Sequence, residues 1–78
     1  MAGLDHDSGE PLYVQLADLL RGQIERGELT SRVPSVKTLS QDHDVSHVTA
    51  EKALAVLRDE GLIRSVIGKG FYVVKHSA

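Results

Sequence analysis

The sequence predicts one α+β domain in which three helices precede a two-stranded β-hairpin. Three observations predict it. Apolar residues recur at three- and four-residue spacing from Leu12 to Leu57, as they do on the buried stripe of a helix. These stretches open on Pro or Ser and close on Gly or a polar turn. After Gly61 the composition changes to β-branched and aromatic residues on either side of a glycine-containing loop. With 78 residues there is room for one core, since a second would need roughly another 50.

Residues 1–10 hold two Gly, a Ser, two Asp and a Glu without periodicity, and are expected to form a flexible leader. Pro11 suits the first turn of a helix, where its missing N–H costs nothing. Leu12, Leu16, Leu19, Leu20 and Ile24, with Tyr13 and Ala17, form one apolar stripe, and Gly27 supplies a left-handed stop. The first helix is expected at about 11–26. Glu28 to Val33 reads as a short extended connector, because a residue before proline is pushed out of the helical region. Ser35 caps a short helix to about Gln41 that buries Val36 and Leu39, and His43 and Asp44 make a tight turn. Ser46 caps a third helix with Ala50, Ala53, Leu54 and Leu57 on its buried face, ending at Gly61. Leu62–Val66 and Phe71–Val74 are strands around the loop Ile67-Gly68-Lys69-Gly70. The ordered domain is expected to span 11–75, with a tail at 76–78.

Composition excludes several classes. Without cysteine there is no disulfide framework and no thiolate metal site. No apolar run approaches the ~20 residues of a membrane span, and MAGLDHDSGE is no signal sequence. A cytoplasmic protein without membrane contact is expected. Nine Lys+Arg against eleven Asp+Glu give a net charge of −2, whereas a nucleic-acid binder is ordinarily basic. The distribution says more than the sum. Setting aside Asp5, Asp7 and Glu10 leaves nine bases against eight acids, and beyond Glu60 the chain has Arg64, Lys69 and Lys75 with no acid.

The second and third helices lie about four residues apart, each with a serine cap. Short helix, tight turn and longer helix make a helix-turn-helix, whose second helix can enter a DNA major groove. A hairpin with a basic tip directly after it describes a winged helix. In the tip, Gly68 and Gly70 permit close backbone approach and Lys69 offers a cation to a phosphate.

Beyond this pattern, a specific set of residues carries a family resemblance. It comprises Pro11-Leu12-Tyr13, Gln15-Leu16-Ala17-Asp18, Leu20-Arg21, Gly27, Leu29, Pro34-Ser35, Leu39, Val45-Ser46, Thr49, Ala53-Leu54, Leu57, Glu60-Gly61-Leu62-Ile63, Gly68 and Gly70. In this order and spacing they resemble the DNA-binding domain of GntR-type transcriptional regulators, from about Pro11 to Val74. The resemblance implies a winged helix on double-stranded, near-palindromic operator DNA, bound as a homodimer. Ser35 and Thr49 would touch phosphate, and Lys37 stands where the family usually has an arginine. Ser46 and Val48 lie in the segment that enters the groove, and Gly68 and Lys69 match the wing that reaches the minor groove. His47 and Glu51 replace two habitual arginines of the reading helix, and the connector from Gly27 to Pro34 is about two residues shorter than usual. Such regulators carry a C-terminal effector-binding and dimerisation domain, which is absent from this chain. The sequence is then either an isolated domain or a miniature regulator without that sensor.

Helical periodicity sets His47, Val48, Glu51, Lys52 and Ala55 opposite Ala50, Leu54 and Leu57. Such a face is either ordinary solvated surface or a base-reading face, with His47 donating to guanine and Glu51 accepting from cytosine N4. Glu51 would face base edges or be neutralised by Lys52. The pair His47 and Glu51 near His43 and Asp44 lacks metal-site spacing, and neither Ser35 nor Ser46 has the His/Asp partners of a nucleophile. Neither enzyme activity nor a cofactor is expected. Two functions are weighed: a sequence-specific DNA-binding regulator, most simply a repressor, and a winged helix used for protein contact, suggested by the mild acidity and the two lost arginines.

Overall fold

The computed structural model describes Leu4, His6 and residues 9–74. Among these, the elements follow in the expected order: α1 (Leu12–Glu25), α2 (Val36–His43), α3 (His47–Asp59), β1 (Ile63–Val66) and β2 (Gly70–Val73). Most of the expected leader, Lys75 and the tail at 76–78 lie outside the described residues, although Leu4 packs against the core. No helix among the described residues is long and apolar enough to cross a membrane.

The third helix is the hub, touching α1, α2 and β1. Its Ala50, Ala53, Leu54 and Leu57 are buried against Leu16, Ala17 and Leu20 of α1, Leu39 of α2, Ile63 of β1 and Val33 of the connector. Each helix, the connector and β1 commit a large apolar side chain to a single core. The half-buried Phe71 and Val73 of β2 pack against it, and the hairpin gains the packing that two strands lack alone. Val36 departs from expectation. It is only half-buried and packs on the margin of the core, leaving Leu39 as the buried anchor of α2.

All three helices end in one way. After α1 and α3 the left-handed residues are Gly27 (φ 76°) and Gly61 (φ 79°). The Gly61 N–H bonds to Arg58 and the Leu62 N–H to Leu57, each at 3.0 Å, which satisfies the last carbonyls of α3. After α2 the left-handed place belongs to Asp44 (φ 55°), a residue type that tolerates it, and the Val45 N–H returns to Ser40 at 3.1 Å. The second helix therefore runs to His43, two residues beyond the expected end. His43 belongs to the helix, and Asp44 alone reverses the chain. Pro11 is extended (ψ 141°), so it precedes α1 as its cap and the helix begins at Leu12.

The strands pair antiparallel in the register Ile63↔Val73, Arg64↔Tyr72, Ser65↔Phe71 and Val66↔Gly70. The connector before α2 does more than span a gap. Its Val33 N–H bonds to Phe71 O at 2.9 Å, and Ser31 O receives the Val73 N–H at 2.7 Å. Arg32 is thereby bridged to Tyr72 on the free edge of β2. This pairing ties the entry of α2 to the hairpin and fixes how the wing stands relative to the helix pair.

Candidate nucleic-acid interface

The first turns of α2 and α3 are built alike. Ser46 accepts the Thr49 N–H at 3.1 Å, and its hydroxyl donates to Thr49 Oγ1 at 3.0 Å. Ser35 makes the same two bonds to Thr38, at 3.1 and 3.0 Å. In each case the serine and threonine hydroxyls are hydrogen-bonded to each other, one donating and one accepting. Each hydroxyl sits at the positive end of a helix dipole, where an anion is favoured. Thr38 was not among the expected site residues, although the repeated Ser-x-x-Thr spacing was there to find it.

Along α3, His47 and Glu51 are exposed one turn apart, and so are Val48 and Lys52. Val48 is 58% exposed, while Ala50, Ala53, Leu54 and Leu57 on the other side are 1% or less. Thr49, at the edge, is half-buried. Ala55, expected on the open face, is also half-buried. The Lys52 ammonium lies 5.7 Å from the Tyr13 ring centroid, a cation–π contact that draws it toward α1. It makes no ion pair with Glu51. Glu51 has no ion-pair partner among the described residues. Lys37 is exposed in the first turn of α2.

The hairpin closes through Ile67, Gly68 and Lys69. The Lys69 N–H bonds to Val66 O at 3.0 Å, and Gly68 has φ 77°, as the third residue of such a turn requires. All three tip residues are exposed.

The described basic residues sort into two groups, those in ion pairs and those outside them. On the helical body Arg21 pairs with Asp18 and Glu60, Arg26 with Glu28 at 2.8 Å, and Arg58 with Asp59 at 3.6 Å. These hydrogen bonds raise the Arg21 and Arg26 pKa values and hold Glu60 and Glu28 below the usual carboxylate range. By contrast, Arg32, Lys37, Lys52, Arg64 and Lys69 make no ion pair among the described residues. Ion pairs occupy the arginines at α1 and at the end of α3, while the unpaired cations stand on the connector, α2, α3 and the hairpin. Glu25, Asp42, Asp44 and Glu51 are likewise without an ion pair among the described residues. Arg32 and Arg64 flank Tyr72 in one cross-strand row, beside an open groove lined by Thr30, Ser31, Arg64, Tyr72, Val73 and Val74. Neither arginine was among the expected site residues, because their alignment depends on the connector joining the sheet.

This geometry has close relatives. The chain is 41% identical over 66 residues to the mannosyl-D-glycerate transport/metabolism system repressor MngR of Escherichia coli, covering 82% of this chain and 28% of that protein. It is 32% identical over 74 residues to the repressor NagR of Bacillus subtilis, covering 92% of this chain and 30% of that one. The chain therefore spans less than a third of the length of these relatives. Among solved structures, YtrA from Sulfolobus acidocaldarius, a GntR-family transcription factor, superposes with a TM-score of 0.86 at 32% identity, over 97% of this chain and 82% of that one. The DNA-binding domain of AraR in complex with operator ORE1 superposes with a TM-score of 0.80 at 29% identity, over 95% and 93% of the two chains. The sequence profile of the bacterial regulatory proteins of the gntR family matches residues 12–73, and the chain, a winged helix, belongs to that family.

Proposed function

We propose that residues 11–75 bind double-stranded operator DNA sequence-specifically and serve a cytoplasmic transcriptional repressor. The observation that carries this reading is the paired helix start. Two helices present the same serine-capped N-terminus with a threonine hydroxyl beside it, and unpaired cations stand on the connector, α2, α3 and the hairpin. In this reading α3 lies in the major groove with His47, Val48 and Glu51 toward base edges and Lys52 beside them. Ser46 and Thr49 meet one phosphate, Ser35 and Lys37 another, and Gly68 and Lys69 follow the adjacent minor groove. AraR's DNA-binding domain, similar over nearly its whole length, is held on operator DNA. A near-palindromic site would seat two copies about a two-fold axis. Repression follows by occupying the promoter.

Fluorescence-anisotropy titration of duplexes at two salt concentrations tests the reading. Binding that weakens steeply with salt and tightens on selected sequences supports it. Indifference to every duplex at low salt would give the surface to protein contact instead.

A further inference from the structure

We propose that Ile67 is an apolar wedge for the DNA minor groove that opens one base step beside the site covered by α3. The inference rests on the DNA-binding reading and adds to it a residue that reads deformability rather than base edges. Among the described residues two large hydrophobics are exposed, Val48 at 58% and Ile67 at 98%. One lies on the open face of α3 and the other at the tip of the wing, the two parts that would meet the two grooves.

Nothing in the fold accounts for Ile67. It lies between the strands, outside the inward-facing residues, and takes no part in the core. The turn is made by Gly68 and the Lys69–Val66 hydrogen bond, neither of which uses the isoleucine side chain. A polar residue there would serve the turn and keep the tip soluble.

The surroundings of Ile67 fit one occupant. A minor groove of about 6 Å admits only a narrow probe, and the tip beyond Ile67 is slim because Gly68 and Gly70 carry no side chains. Lys69, two residues on and without an ion pair, supplies the cation for the phosphates that wall the groove. Apolar side chains inserted at a base step part the stack and bend the duplex, and pyrimidine–purine steps yield most readily. A second protein chain is the poorer fit, because one isoleucine covers far less than the ~800 Å² per partner of a stable interface.

The test selects duplexes from a random pool with the parent chain, Ile67→Ser and the conservative Ile67→Leu. The parent and Ile67→Leu are expected to enrich a TA or CA/TG step at fixed distance from the main motif. Ile67→Ser should keep the motif, lose the flanking step and bind the parent's best site about tenfold more weakly. 2-Aminopurine placed in that step should brighten on binding the parent and Ile67→Leu but not Ile67→Ser. Equal flanking preference and equal fluorescence for all three chains would overturn the proposal. So would unchanged DNA affinity of Ile67→Ser combined with lost self-association in sedimentation, which would mark a protein contact. A parent that enriches no sequence and binds no duplex would overturn the DNA-binding reading and this inference together.

Discussion

Arg21 in α1 clasps Glu60, 39 residues later, through two parallel hydrogen bonds: Nε to Oε1 at 2.8 Å and Nη2 to Oε2 at 2.6 Å. Asp18, one turn earlier in α1, accepts a third bond from the same guanidinium. Glu60 is the last residue before the left-handed Gly61, after which the chain enters the hairpin. The clasp thus pins α1 to the point where the wing departs from α3. Planar two-point pairing gives this contact a directionality that a lysine could not supply.

The clasp makes stability fall in acid. Its hydrogen bond from Arg21 lowers the Glu60 pKa in the folded chain, and Arg26 does the same to Glu28. For a lowered carboxylate pKa the unfolded chain takes up the proton first. The stabilisation is complete above the ordinary carboxylate range and is lost as pH falls through the folded value. Arg21 stays charged throughout. Glu60→Gln is expected to melt a few degrees below the parent at neutral pH, because both partners are partly exposed. The gap should close in strong acid. Melting curves by circular dichroism across this range check it, and a gap that widens on acidification would contradict the sign.

Leu54 is 1% exposed on the helix that touches every other layer of the core. Truncation to alanine is expected to cost about 2–5 kcal/mol, from lost burial and the cavity left behind. A domain this small has about 3–5 kcal/mol in hand, so Leu54→Ala should be largely unfolded at 25 °C. A thermal melt matching the parent would show that α3 turns a different face inward.

Local signals made the fold readable where structure is local. Serine caps at 35 and 46, glycines at 27 and 61, and the stripes between them mark the helices because each works within one turn of chain. The end of α2 is not legible locally, because Asp44 fills a left-handed place that glycine usually marks. The connector's extended form is legible but its pairing is not, because its partner, Tyr72, lies 40 positions away from Arg32. At the interface, the face of α3 follows from periodicity. The sorting of cations into paired and unpaired, and the withdrawal of Lys52 onto Tyr13, require knowing what packs beside what.

Backbone contacts should separate from reading contacts. Thr49→Ala removes a hydroxyl donor and Lys69→Ala a cation, and both are expected to weaken binding to all duplexes by similar factors, since phosphates carry no direct sequence information. Lys69→Ala should also flatten the slope of log affinity against log salt by about one unit, and Thr49→Ala should leave it unchanged. Salt titrations on a selected and a scrambled duplex measure both. A Lys69→Ala defect confined to one sequence, with an unchanged slope, would make Lys69 a base reader.

The last prediction concerns His47 and Glu51, which stand one turn apart on the open face of α3 with no ion-pair partner among the described residues for either. Arginine at such positions would offer two parallel donors to guanine and charge to the backbone. Histidine is a weaker donor, and an ionised glutamate only accepts. Near phosphates an unneutralised carboxylate is unfavourable unless a base donor meets it, and cytosine N4 is the matching donor in the major groove. Lys52 lies over the Tyr13 ring and makes no ion pair with Glu51. A preferred site with a cytosine amino group opposite Glu51 follows. Glu51→Arg changes the local charge by two units, so it is expected to raise affinity for all duplexes while moving the preferred base at that place. A matched contact is worth about 1–3 kcal/mol, so the preference should shift by about tenfold or more. Selection from random DNA with the parent and with Glu51→Arg decides the matter: identical enriched sites would show that Glu51 reads no base.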